Sequence, residues 1–140
     1  MPGLAAKDVI DVQVSVADFE PFEPLRGAVE GLGYEWMPDN DDGRKRFFRL
    51  VSPDGARLVN LHVRRLGEFS EQAALLFRDY LRASPEPRRR YEKAKRALAG
   101  RDWPTVDHYA DAKGDTIWSL IREADRWAWE VAWSAGPSDA

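Results

Sequence analysis

The sequence predicts an α+β domain in which a small mixed or antiparallel sheet carries packed helices. Two observations carry this reading. Every segment with a period of two lies before residue 66, and two of them flank a tight-turn sequence. From Phe69 onward the apolar spacing becomes helical. A dinucleotide-binding domain is disfavoured, because the chain has no GxGxxG and no regular βαβ alternation.

The first strand is expected over Val9 to Val16. Ile10, Val12, Val14 and Val16 take one face, and Val9, Asp11, Gln13 and Ser15 the other. Asp18 then reads as the cap of a helix running to about Leu32, with Phe22, Leu25, Val29 and Leu32 at helical spacing. Pro24 crowds its start, and Gly31 and Gly33 end it. A short strand over Tyr34 to Met37 precedes the turn PDNDDG.

RFFRLV (46–51) and RLVNLHVRR (57–65) flank SPDG and read as a hairpin. In its second arm Val59, Leu61 and Val63 face one way, and Leu58, Asn60, His62 and Arg64 the other. Phe69, Ala73, Leu76, Phe77, Tyr80 and Leu81 make a helical stripe, which Ser84-Pro85 breaks. Ser84 is placed to cap a helix that starts at Pro85, carries Tyr91, Ala94 and Leu98, and stops at Gly100. A last helix is expected from near Pro104 to about Trp133, with Gly114 as a candidate interruption. The expected organisation is one domain over residues 1–134 and a disordered tail over 135–140.

Bulk properties narrow the function. A chain of 140 residues, 44% hydrophobic and 32% charged, suits one folded domain rather than a disordered segment. A net charge of -3 provides no global attraction to nucleic acid or anionic lipid. The absence of cysteine excludes thiolate zinc sites and cysteine nucleophiles, and only two histidines are present. The N-terminal residues read as neither a signal peptide nor an anchor, so the expected location is the cytoplasm.

Several residues stand out against this background. Asp11 and Gln13 share the polar face of an apolar strand. A carboxylate there suits a magnesium site, and an ordinary half-exposed strand face accounts for it as well. His62 and Asn60 form a similar pair; His62 fits either a proton shuttle or a structural, hydrogen-bonded histidine. Lys113 falls in the apolar stripe of the last helix, with Tyr109 one turn earlier. It reads as a phosphate contact or as a snorkelling side chain. Arg78 and Arg82 lie one turn apart, as a phosphate clamp or a surface ion-pair network. Arg88 to Arg90 make a basic run that spreads around its helix and reads as a solvated face rather than a nucleic-acid site. Trp127, Trp129 and Trp133 cannot all face one core, which points to a homodimer through the Trp-rich C-terminal helix.

In order, PGLAAKDVIDVQVSV, RFFRL, NLHV, FRDYLRASPE, YEKAKRALA and YADAK resemble the GrpB family over about residues 2–124. The resemblance implies a nucleotidyltransferase-like fold, with a small sheet bearing metal-binding acids. It makes Asp11 the strand acid and metal ligand, and His62 a residue that orients substrate or shuttles a proton. Lys7, Arg78, Tyr109 and Lys113 become contacts to substrate or phosphate, with Gln13 a neutral oxygen beside them. It further implies ATP or another nucleoside triphosphate as substrate, with Mg2+ as the metal. Two departures stand out: Met1 falls where the family's histidine-containing glycine-serine-threonine segment ends, and Gln13 stands where a second acid would pair with Asp11. The expectation is nucleotidyl transfer or acid activation in a small-molecule pathway. The alternative is a non-catalytic binding module that keeps the fold.

Overall fold

The computed structural model describes residues 9–101 and 106–137; of 106–113 it gives the helical backbone alone. Four strands and four helices follow in the order β1 (Ile10–Val16), α1 (Phe22–Glu30), β2 (Glu35–Trp36), β3 (Lys45–Val51), β4 (Arg57–Arg65), α2 (Phe69–Ala83), α3 (Pro85–Ala99) and α4 (Val106–Val131). They form two compact units, one running to Gln72 and the other beginning at Ala73.

The first unit is the sheet, in strand order β1-β4-β3-β2. SPDG closes the β3–β4 hairpin as its composition predicts: the Ser52 amide donates to the Ala56 carbonyl at 2.8 Å, and Gly55 takes a positive φ of 87°. β3 is antiparallel to both β4 and β2, whereas β1 runs parallel to β4, so the sheet is mixed. A parallel neighbour needs a crossover, and α1 with the following hairpin supplies the chain between β1 and β4.

Period two then sorts the side chains. Phe48, Leu61 and Val63 fall on one face and are buried with Phe19 and Val29, while Val12, Val16, Phe22, Leu25, Tyr34 and Trp36 pack around them. The helix covering this face begins at Phe22, three residues later than an Asp18 cap would place it. Proline has no amide hydrogen, so Pro24 is accepted only where the first turn leaves amides unpaired, and that sets the start. Asp18 instead accepts from the Glu20 amide at 3.3 Å, and Glu20 accepts from the Phe22 amide at 3.1 Å.

The first turn of α2 closes the unit by returning to β1 through Glu71, which is 1% exposed. One carboxylate oxygen accepts from the Ser15 hydroxyl at 2.7 Å. The other accepts from the Gly67 amide at 3.2 Å and the Gln72 side-chain amide at 2.7 Å. The reach back to Gly67 resembles a capping box, and Gly67 holds a φ of 81° that a side chain would strain. Burial acts to raise the Glu71 pKa, but the three hydrogen bonds outweigh it and hold the carboxyl below its ordinary range.

In the second unit Tyr80, Leu81 and Ala124 form a core with Leu76, Phe77, Tyr91 and Trp127 against it. α3 starts at Pro85 as expected, although the Ser84 side chain makes no capping bond. α4 passes through Gly114 without a break. Within the basic run Arg90 is tied into ion pairs: it meets both oxygens of Glu123, at 3.0 and 2.5 Å, and also pairs with Glu86. The tryptophans divide as their spacing requires. Trp127 packs at Tyr80, Trp133 donates to Asp79 at 3.0 Å, and Trp118 and Trp129 are exposed.

Phe48 is fully buried at the centre of the sheet's apolar face. Phe48→Ala is expected to cost about 3–5 kcal/mol, read as a lower urea midpoint at unchanged slope; a loss below about 1 kcal/mol would contradict its place in the core. Glu71→Gln removes the charge its three donors hold, at an expected cost of about 1–3 kcal/mol. Because the folded pKa of Glu71 is depressed, its contribution is complete above the unfolded value of about 4.3 and fades as pH falls through the folded one. Melting curves from pH 7 to pH 3 should show a steeper decline for wild type than for Glu71→Gln, and parallel declines would refute the assignment.

Candidate functional site

The opposite face of the sheet is polar because the same alternation turns the intervening residues outward. The register sets Asp11 beside Asn60, Gln13 beside His62 and Ser15 beside Arg64 across the parallel pair. Across the antiparallel pair it sets Lys45 beside Arg64, Phe47 beside His62 and Arg49 beside Asn60. Asp11, Gln13 and His62, singled out from the sequence, therefore meet on one surface.

A chain of contacts runs over this surface. Asp11 Oδ1 accepts from the Asn60 side-chain amide at 3.0 Å and lies 3.4 Å from His62 Nε2. On the other side of the ring, His62 Nδ1 lies 3.2 Å from Lys45 Nζ. A protonated Lys45 has only hydrogens to offer, so Nδ1 accepts and the remaining imidazole hydrogen sits on Nε2, facing Asp11. Phe47 stacks on the imidazole at 5.1 Å and 28°, and Lys45 and Arg49 lie over the Phe47 ring at 4.9 and 5.3 Å. Asp11 is 68% exposed, so its carboxylate is open to a ligand, whereas His62 is only 21% exposed. Gln13 turns away from this chain and donates to the Glu71 carbonyl at 3.4 Å.

The electrostatics favour an anion. Burial lowers the pKa of Lys45, and nearby Arg64 lowers it further, with Asp42 and Asp11 acting the other way. Burial also lowers Arg64. His62 is pushed below its ordinary value by burial first and by Lys45 next, against the support of Asp11. Arg49 Nε, Arg64 Nε and Arg64 Nη1 are buried donors without a hydrogen-bond partner, and Asn60 Oδ1 is a buried acceptor in the same condition. Buried guanidinium N–H groups left unpaired are costly, and a phosphate or carboxylate would satisfy them.

Among the described residues no three His, Cys, Asp or Glu side chains gather to hold a metal by themselves. Magnesium suits Asp11 in another way, since it commonly takes one or two protein carboxylates and completes its shell with water and substrate phosphates. Beside this face lies a cleft of about 310 Å³, lined by Phe22, Trp36, Asn40, Asp42 and Arg46 and sharing Lys45 and Phe47 with it.

Arg78 belongs to the helical unit, where its Nε lies 2.8 Å from Asp79. Lys7 and the side chains of Tyr109 and Lys113 lie outside the described residues. Lys45, Arg49 and Arg64 escaped notice in the sequence, although the alternation that buries Phe48 already placed Lys45, Phe47 and Arg49 together on the other face.

The family model described as GrpB protein matches residues 1–123. The chain belongs to the GrpB family. It is 40% identical over 124 residues to a UPF0157 protein of Streptomyces coelicolor, covering 89% of this chain and 63% of that protein. A UPF0157 protein of Halalkalibacterium halodurans is 34% identical, with the same two coverages. The chain thus spans less than two thirds of the length of these relatives. A protein named dephospho-CoA kinase from Mycolicibacterium paratuberculosis is 32% identical over 152 residues, which take in 94% of this chain and 37% of that protein. The crystal structure of conserved protein GrpB from Enterococcus faecalis superposes with a TM-score of 0.75 at 31% identity, covering 91% of this chain and 76% of that one. The fold is nucleotidyltransferase-like, as the resemblance implied. No helix among the described residues is long and apolar enough to cross a membrane.

The contact chain makes the ionisation of His62 a direct readout. The two histidines are readily resolved by NMR, and His62 is expected to titrate below the ordinary midpoint of about 6.5. Lys45→Met should raise that midpoint, since Lys45 depresses it, and Asp11→Asn should lower it further. Shifts of the opposite sign would overturn the arrangement.

Proposed function

We propose that the polar face of the sheet binds a nucleoside triphosphate with Mg2+ and transfers its nucleotidyl group to a small-molecule acceptor, or activates an acid for ligation. The observation that carries this reading is the set of unpaired guanidinium N–H groups on Arg49 and Arg64 beside the open Asp11 carboxylate and His62. In phosphoryl chemistry the protein mainly positions the substrate and neutralises charge. Arg49 and Arg64 supply that charge here, and Asp11 supplies the metal's protein oxygen. His62 holds or moves the proton of the reacting group.

ATP is the first substrate to test. Proteins named dephospho-CoA kinase contain a similar region, and a kinase name supports trying ATP first. The same fact favours a second reading. A segment that makes up 37% of a longer protein is the size of an appended binding module, which would hold a nucleotide without transforming it.

Calorimetry with ATP and MgCl2 tests the first step. Wild type is expected to bind, Arg64→Ala to bind at least tenfold more weakly, and Asp11→Ala to lose the magnesium dependence. Absence of binding by wild type refutes the proposal. Binding without release of pyrophosphate in the presence of candidate acids selects the second reading.

A further inference from the structure

We propose that Lys45 is the nucleophile of this site and forms a covalent nucleotidyl-lysine intermediate. The inference rests on the reading above and names the first acceptor of the nucleotidyl group. Its basis is the order Asp11–His62–Lys45, with contacts of 3.4 and 3.2 Å. A nucleophile within hydrogen-bond reach of a base, itself oriented by a third group, is the general arrangement of an activated nucleophile. Here the base is the imidazole, Nδ1 faces the amine, and Asp11 faces the opposite nitrogen.

Three further observations fit Lys45 rather than another side chain. It is among the residues lining the 310 Å³ cleft, together with Phe47. It lies next to Arg64 in the register, and Arg64 brings unpaired N–H groups to the same place. Its Nζ lies over the ring of Phe47, which also stacks on His62, so one ring positions both partners. A lysine serving only as a counter-charge would have no need of an imidazole acceptor at 3.2 Å.

The step balances as follows. The Lys45 ammonium first gives one proton to solvent; the lone pair of the neutral amine then attacks the α-phosphorus and a P–N bond forms. The bond from the α-phosphorus to the α,β-bridging oxygen breaks, its electron pair leaves with pyrophosphate, and the surplus proton on Nζ passes to His62 Nδ1. In the second half a carboxylate oxygen of the acceptor attacks phosphorus and the P–N bond breaks. Its electron pair returns to Nζ together with the proton from His62.

Intact-mass spectrometry of the full chain after incubation with MgCl2 and each of the four ribonucleoside triphosphates provides the test. One nucleoside monophosphate should add, map to Lys45 by peptide sequencing, be labile to acid, and be removed by added pyrophosphate. His62→Gln should slow labelling by about 10²–10⁴-fold. Lys45→Arg, shown by its melting curve to be folded, should take no label. Wild type that binds a triphosphate calorimetrically yet takes no label overturns the nucleophile and leaves the binding reading intact. Absence of binding overturns both. A label on another residue, or one that persists in Lys45→Arg, also overturns the inference.

Discussion

The parallel pairing of β1 with β4 is the constraint on which the candidate site depends. The two strands lie far apart in sequence, and nothing local holds them in register. The alignment is set where Val12 and Val16 pack on the core with Leu61 and Val63, and it is locked at one end by the Leu66 amide on the Val16 carbonyl. A shift by one residue would turn every side chain of β1 to the wrong face. Burial on one side of the sheet therefore specifies which polar groups meet on the other. Asp11 reaches Asn60 and His62 because its valine neighbours are buried.

The polar face mixes charge in an order that matters. Asp11 and Lys45 stand on opposite sides of one imidazole, so His62 is flanked by a negative and a positive group rather than paired with either alone. Asp11, His62 and Lys45 come from three different strands, and each backbone is held by its own ladder. Side chains on a packed sheet keep their spacing better than side chains on loops, which suits chemistry that depends on position. Glu71 serves a different end: its fully bonded, buried carboxylate joins the start of α2 to β1 and leaves little capacity for a ligand.

Much of this was legible in the chain. The strands of the hairpin, the break at Ser84-Pro85 and the polar face of β1 followed from period and turn chemistry, because each depends on neighbours in sequence. The start of α1 was misplaced because Asp18 is a good capping residue in isolation, whereas the tolerance for Pro24 decided the matter. Asp11 and His62 were visible as polar residues among valines. Lys45 and Arg49 were not, since a charge on a strand is unremarkable until strand pairing brings it to the polar face of a neighbour. Nothing in its sequence neighbours marks Glu71 out; its burial depends on Ser15, more than fifty residues away, and no periodicity reports such a contact.

The shared alternation of core and site limits how this protein can change over time. Substitutions on the polar face can alter the chemistry one position at a time without disturbing Phe48 or Leu61. Insertions and deletions within β1, β3 or β4 have no such freedom, because a single added residue inverts both faces downstream of it. Relatives that diverge in activity should therefore differ in the lettering of these strands and not in their length, with length variation confined to the 38–43 and 52–56 turns.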